Sequence, residues 1–301
     1  MDVGIIGTGV MGRNHVRIFS ELKSVDSVGV FDVNAAATKA MAGQYGVTGY
    51  SAMEDLLAHS DVVSICVPTQ FHAGVAKQVF AAKKHVFIEK PICATSAEAR
   101  ELMKSAPPEV LVGVGHIERF NPIVAEIKKI SSKPLYIEMK RHNPASARIT
   151  GSSVVEDLMI HDIDILLNVF FPHPNNLHSV GNADVCSVLM KCGDVPVVLS
   201  ASRKSSKKIR ILYVEEEDFT VEGDFMSQEI TIYRKPGQYR MENERYVQEN
   251  IIEKVVVNKT EPLKTELGLF IDCIRQDKPF PVTPEQAIRN LEMSEKIRAG
   301  F

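Results

Sequence analysis

Val3-Gly4-Ile5-Ile6-Gly7-Thr8-Gly9-Val10-Met11-Gly12 is an apolar run of strand character closed by a complete G-x-G-x-x-G, and an amphipathic stretch over residues 11–22 follows at once. Strand, tight turn and helix start are the context in which this spacing holds the pyrophosphate of a dinucleotide. Gly7 permits the turn, Gly9 lets the backbone approach phosphate oxygens, and Gly12 lets helix and strand pack closely. Val10 and Met11 lie on the same turn, where the helix N-terminal amides would face the phosphates.

Outward from this turn, apolar runs at residues 28–31, 62–67, 86–88 and 110–114 alternate with stretches of helical period at 35–45, 53–58, 72–82 and 96–104. Repeated strand and helix units predict an α/β domain with a doubly wound parallel sheet, a Rossmann domain over residues 1–119. Asp32 closes the second strand, where a carboxylate accepts hydrogen bonds from ribose hydroxyls and repels a 2′-phosphate, so NAD is expected rather than NADP. Asp32 can equally cap the helix that starts near Asn34. Val67, Pro68, Thr69 and His72 follow the fourth strand at the carboxyl edge, where the cofactor is expected. Pro68 as a strand stop, Thr69 as a cap and His72 as a helix-start residue are compatible alternatives. Glu89-Lys90-Pro91 ends the fifth strand, where Glu89 and Lys90 are candidate cofactor contacts; a desolvated lysine there can polarise a carbinol or relay its proton, and a simply solvated lysine is the alternative.

Past residue 120 the pattern changes. A helix after Asn121-Pro122 and an alternating strand over 135–141 open an α+β domain spanning 120–301. Strands are expected at 180–192, 195–203, 209–214, 218–222 and 229–233, forming a mainly antiparallel open sheet covered on one side by a helix over 157–170. Helices over 263–275 and 284–299 close the chain, with Thr283 as N-cap; the last can pack back on the first domain. Residues 236–262 are the most polar stretch.

Two clusters in this half carry chemistry. In Asp157-Leu158-Met159-Ile160-His161-Asp162-Ile163-Asp164, Asp157 and His161 lie four apart on one helix face with Asp164 three further on. A carboxylate beside an imidazole suits removal of a hydroxyl proton, and a plain surface pair is the alternative. In Gly115-His116-Ile117-Glu118-Arg119-Phe120-Asn121-Pro122, His116, Arg119 and Asn121 are candidates for contact with phosphate or sugar hydroxyls, against a capping role for Asn121. Arg141, His142 and Arg148 form a basic set, read either as functional or as a solvated edge.

Over 301 residues, 35 Lys and Arg face 38 Asp and Glu, a net charge of -3 that supplies no global field for nucleic acid or anionic membrane. Five cysteines without a C-x-x-C pair argue against a zinc site or a disulfide framework, so no metal is expected and a reducing cytoplasm suits the chain. No basic leader precedes residue 3, and no apolar stretch approaches membrane length.

GIIGTGVMGRNH at 4–15, VPTQFH at 67–72, EKP at 89–91, GHIERFNP at 115–122, EDLMIHDID at 156–164 and the closing PVTPEQAIRNLEMSEKIRAG together resemble the Gfo/Idh/MocA oxidoreductases. The resemblance implies an NAD(P)-binding Rossmann domain and an open sheet that mediates homodimers or homotetramers. Lys90 then matches the catalytic lysine, Asp157 the substrate-binding aspartate and His161 the acid/base histidine. GHIERFNP with DLMIHDID is similar to the branch containing UDP-N-acetylglucosamine 3-dehydrogenases, which implies hydride transfer at C3 of a UDP-N-acetylhexosamine. Residues 151–156, Gly-Ser-Ser-Val-Val-Glu, depart from the Asp-x-Gly stretch that this branch tends to carry. A free polyol or inositol-type dehydrogenase is the rival enzyme, and a non-catalytic NAD-binding regulator the rival from another class.

Overall fold

β1 (Asp2–Ile6) lies at the centre of a six-stranded sheet because its residues are apolar on both faces, as a strand covered by helices on both sides requires. In the computed structural model, which describes residues 1–144, 152–237, 240–242, 245–247 and 250–301, β1 pairs in parallel with β2 (Ser27–Phe31) and with β4 (Val62–Ile65). β3 (Thr48–Gly49), β5 (His85–Glu89) and β6 (Val112–Gly115) complete the order β3-β2-β1-β4-β5-β6, all parallel. The strand order reverses between β1 and β4, the switch point at which open parallel sheets bind ligands outside the carboxyl ends of their strands. Helices α1 (Val10–Glu21), α2 (Ala35–Tyr45), α3 (Met53–Ala58), α4 (His72–Ala81) and α5 (Ser96–Met103) connect the strands.

The chain forms two units, Met1–Ile117 with Glu261–Glu292 and Glu118–Thr260 with Met293–Phe301. Helix α8 (Pro262–Arg275) thus belongs to the first unit, while α9 (Pro284–Arg298) gives residues to both. The first unit gains Phe270 and Phe280 against Phe87, at centroid separations of 5.3 and 6.1 Å. Gly113 makes room for them, since a Cβ there would meet the Phe270 ring at 2.7 Å.

The second unit begins with α6 (Pro122–Ile130), capped by Asn121 with Pro122 in its first turn. Its eight-stranded sheet runs β16-β13-β12-β11-β7-β10-β9-β8, from β7 (Tyr136–His142), β8 (Asn175–Gly181), β9 (Val185–Cys192), β10 (Val195–Ser202), β11 (Ile209–Glu215), β12 (Phe219–Asp224), β13 (Glu229–Arg234) and β16 (Ile252–Val255). β14 (Arg240–Glu242) and β15 (Arg245–Val247) form a separate antiparallel pair. The large sheet is mainly antiparallel, with β7 and β10 parallel in its middle. Alternation sends Ile137, Met139 and Arg141 of β7 to the buried face and leaves Tyr136, Glu138, Lys140 and His142 partly exposed on the other. Ile123, Ile127, Leu158, Ile163 and Leu166 pack over the buried face.

Two expectations need correction, and one stretch read only as polar holds a strand. The strand expected over 180–192 is broken, because the Asn182 carboxamide accepts from the backbone N–H groups of Asp184 and Val185 and turns β8 into β9. The polar stretch 236–262 contains β16, which pairs with β13. The helix expected over 157–170 is not uniform: π-helical turns at Val155–Met159 and Leu166–Phe170 flank α7 (Ile160–Ile165). Arg148 and Gly151 lie outside the described residues.

Candidate active site

In the first unit the glycine-rich turn has the shape its spacing predicts. Gly7 has φ of +96°, and a Cβ there would meet the Cys66 backbone at 2.8 Å. A Cβ on Gly12 would lie 1.9 Å from the Gly7 carbonyl, so only glycine lets α1 start this close to β1. Gly9 faces open space and is the N-cap of α1, with no side chain capping the helix amides. Val10 is 61% exposed beside it, while Met11 is partly buried. This concave, amide-lined turn fits a dinucleotide pyrophosphate.

Asp32 is tied to the same turn. One carboxylate oxygen accepts from the Thr8 N–H at 2.8 Å and its hydroxyl at 3.0 Å, and the other accepts from the Asn34 N–H at 2.9 Å. Burial opposes its charge, but these donors outweigh burial and hold Asp32 below the usual carboxylate range. The capping of α2 falls to Asn34, which accepts from Ala36 and Ala37. Asp32 therefore does not serve as that cap.

Val67, Pro68 and Thr69 follow β4 at the carboxyl edge; Thr69 opens a 3₁₀ turn, and no side chain caps α4. His72 is buried, with Nδ1 3.0 Å from the Pro91 carbonyl and Nε2 2.9 Å from that of Val67. It braces the ends of β4 and β5, and burial pushes its pKa down. Glu89 ends β5 buried and accepts from the Lys90 N–H at 3.3 Å, while Lys90 is partly exposed at the strand end. His116 is buried in this unit, its Nε2 3.3 Å from the Asn290 amide.

In the second unit, every residue from Val154 to Leu167 is buried except Asp157 and His161. The open side of this helical run thus presents the two residues singled out by their spacing. Asp164 does not join them: it is buried and ion-paired with Arg119, whose Nε donates to it at 2.9 Å. Asp162 is likewise buried and accepts from Arg141 Nε at 3.0 Å and Nη2 at 2.7 Å. The same guanidinium donates to Glu118 at 2.7 Å and packs over the Phe225 ring. Burial opposes the charge of Glu118, and Arg141 with Arg210 overcomes it, holding that carboxylate below its usual range. Asp162 is pushed upward by burial against the pull of Arg141.

The reading of Arg141 as a solvated edge is therefore corrected: at 1% exposure it is the charged centre of this unit. Its signal was in the sequence, since it occupies the inward register of the alternating strand. Asn121 is 2% exposed and donates to the Phe225 carbonyl at 3.0 Å while capping α6. Arg119 and Asn121 are thus held by partners inside the unit. Sequence reasoning also missed His15, which has neighbours in Ser64 and Glu89; its place with Gly12, Val16 and Phe19 on the buried face of α1 was the available signal.

A family model described as oxidoreductase family, NAD-binding Rossmann fold (GFO_IDH_MocA), matches residues 1–116. UDP-N-acetylglucosamine 3-dehydrogenase of Acidithiobacillus ferrooxidans is 30% identical over 288 residues, covering 93% of this chain and 90% of that protein. The chain belongs to the Gfo/Idh/MocA oxidoreductase family. The solved structure of that Acidithiobacillus enzyme, GnnA, aligns with a TM-score of 0.88 at 26% identity over 100% of this chain and 97% of that one. Inositol 2-dehydrogenase of Salmonella typhimurium is 26% identical over 200 residues, 59% of this chain and 60% of that protein. As a family member the chain is an NAD(P)-dependent dehydrogenase acting on CH–OH groups, and its first unit carries the NAD-binding Rossmann fold. Among the described residues no helix is long and apolar enough to cross a membrane.

Proposed function

We propose that the chain oxidises the C3 hydroxyl of a UDP-N-acetylhexosamine with NAD. The observation that carries this reading is the pairing of Asp157 and His161 as the two openings in an otherwise buried helical run, in a chain whose similarity to the UDP-N-acetylglucosamine enzyme extends over 93% of its length. Similarity to the inositol enzyme covers 59%, which makes a polyol dehydrogenase the second reading.

Bound NAD supplies the hydride acceptor. Gly7, Gly9, Val10, Met11 and Gly12 would hold its phosphates, Asp32 would offer the acceptor site left on its Asn34-bonded oxygen to a ribose hydroxyl, and Val67, Pro68, Thr69, His72 and Glu89 would shape the edge beside it. His161 takes the proton of the reacting hydroxyl, Lys90 stabilises the developing negative charge, and Asp157 holds a neighbouring hydroxyl. His116, Arg119 and Asn121 support the substrate side by fixing the backbone around it. In this reading residues 1–119 serve the cofactor and 120–301 the substrate, and the open sheet face bearing Tyr136, Tyr213 and Leu189 joins copies of the chain in the cytoplasm.

The test is the near-ultraviolet absorbance of reduced nicotinamide with NAD and UDP-N-acetylglucosamine, with a carbonyl trap to pull the equilibrium. A rise abolished in His161→Ala supports both the substrate and the proton acceptor. Turnover of myo-inositol but not the nucleotide-sugar moves the assignment to polyols, and NAD binding without turnover of either leaves the regulator. Comparing pH profiles of Lys90→Met and His161→Ala separates the two residues as proton acceptors.

A further inference from the structure

His15 is buried, ionisable and unused by the proposed chemistry, and it pairs with Glu89 at the cofactor edge. His15 is 0% exposed on α1, flanked by the Phe19 and Phe87 rings at 6.1 and 5.8 Å. Its Nε2 meets a Glu89 oxygen at 2.8 Å and its Nδ1 meets the Ser64 hydroxyl at 2.7 Å. The other Glu89 oxygen accepts the Lys90 N–H. Gly115 leaves space for the carboxylate, since a Cβ there would come within 3.1 Å of it. One imidazole therefore connects the helix behind the glycine-rich turn, the middle of β4 and the residue preceding Lys90.

Buried ion pairs are a poor source of stability compared with apolar residues of similar volume, so stability alone does not account for this one. Its location does. We propose that His15 is a positioning residue for Lys90: through the Glu89 carboxylate it fixes the strand end that carries Lys90 and balances the charge that Lys90 meets. The inference rests on the role given to Lys90 above.

The surrounding charges agree with it. Burial favours a neutral ring, yet the Cys66 sulfur and the Glu89 carboxylate push His15 up to about 10, which makes it an imidazolium at neutral pH. Burial works against the Glu89 charge, and His15, Lys90 and His72 together hold its pKa below the usual range. The groups facing the pair are thus Cys66 after β4, His72 from α4 and Lys90 itself. Ser64 offers its oxygen to Nδ1 and can donate onward to the Cys66 sulfur, 3.6 Å away. Both ring nitrogens then donate, as an imidazolium requires.

The experiment follows the lysine ε-carbon and imidazole resonances of the full chain by NMR, with Lys90 assigned by its absence in Lys90→Met. His15→Gln keeps an amide within reach of both partners but removes the positive charge, leaving Lys90 beside an unbalanced carboxylate. The Lys90 titration is expected to move up by about one unit, and to return in His15→Gln/Glu89→Gln, where no charge remains in the pair. In turnover, His15→Gln should lower kcat about tenfold with KM for NAD within about threefold. A Lys90 titration identical in the wild type and both variants overturns the proposal. So does a neutral His15 ring at pH 8 in the wild type, a readout that needs no variant to fold. Full turnover in Lys90→Met would instead overturn the role of Lys90, so the two failures are distinguishable.

Discussion

Glu89, which ends β5 in the first unit, and Glu118 in the second, three residues past the end of β6, are both buried carboxylates, yet they are balanced by different cations. Glu89 has the imidazole of His15 at 2.8 Å, whereas Glu118 has the guanidinium of Arg141 at 2.7 Å with Arg210 at 3.2 Å. An imidazolium loses its proton within an accessible pH range; a guanidinium does not. The first pair is therefore a charge that can be switched off beside Lys90. The second is a fixed frame: Arg141 holds Asp162 and Arg119 holds Asp164, so two of the three residues that follow His161 along the chain are anchored while His161 itself stays partly open.

Breaking the fixed frame should have the largest effect. Arg141→Met retains a long apolar side chain but strands Glu118 and Asp162 without their shared cation. A loss of about 3–5 kcal/mol is expected in chemical denaturation, because unpaired buried carboxylates must be protonated or rehydrated. A loss below about 1 kcal/mol would show that Arg210 and relaxation of the helix can replace the frame.

The cofactor turn is the next most sensitive point. Gly12→Ala places a methyl 1.9 Å from the Gly7 carbonyl, and backbone rather than a flexible side chain must move. About 3 kcal/mol of stability should be lost, together with most NAD affinity by calorimetry, while Gly43→Ala, which meets nothing within 4 Å, should cost neither.

These two substitutions mark what could be read from the sequence. Gly7, Gly9 and Gly12 were legible because their role is steric: a fixed spacing after an apolar strand has few other uses. The parallel sheet was legible for a similar reason, since its apolar runs recur between helical periods. Arg119 was not, because a charged side chain looks the same in sequence whether it meets solvent, ligand or a buried carboxylate; for Arg141 the inward register of β7 was a signal of burial, but not of its partners. The partners Asp162 and Asp164 lie 21 and 45 residues from their arginines, and only folding brings them together. Asp157 and His161 were singled out by spacing, but the π-helical turns around them were invisible. No residue in Val155–Met159 is a helix breaker, and the wider winding arises where the segment packs over the sheet.

The contrast between switchable and fixed charge can be sharpened with pH alone. His15 has a folded pKa raised to about 10 above its ordinary 6.5, so its contribution to stability is complete below about pH 6.5 and is lost as pH rises toward 10. Between pH 7 and 9 the wild type should lose up to about 2 kcal/mol that His15→Gln does not lose. Arg141 stays charged throughout, so the guanidinium itself adds no slope to the wild type over this range. Equal slopes in the wild type and His15→Gln would mean that other groups carry the alkaline loss.

The smallest expected effect concerns Asn121, which the sequence offered both as a substrate contact and as a helix cap. Its carboxamide accepts from the Ile123 N–H, donates to Phe225 at 3.0 Å and is 2% exposed, so the structure gives it the cap. Asn121→Ala should cost about 1–2 kcal/mol through the lost cap and the orphaned Phe225 carbonyl. Asn121→Asp should keep the cap but sets a carboxylate oxygen against the Phe225 carbonyl and the Glu118 carboxylate, where the amide donated to both, and so should cost at least as much as Asn121→Ala. Because α6 and the Phe225 turn both belong to the frame around Glu118, kcat/KM should stay within about twofold for either variant at a temperature where both are folded. A tenfold fall in kcat/KM without loss of stability would place Asn121 among the substrate contacts and make the fixed frame reach the ligand directly, which would erase the distinction between the two units.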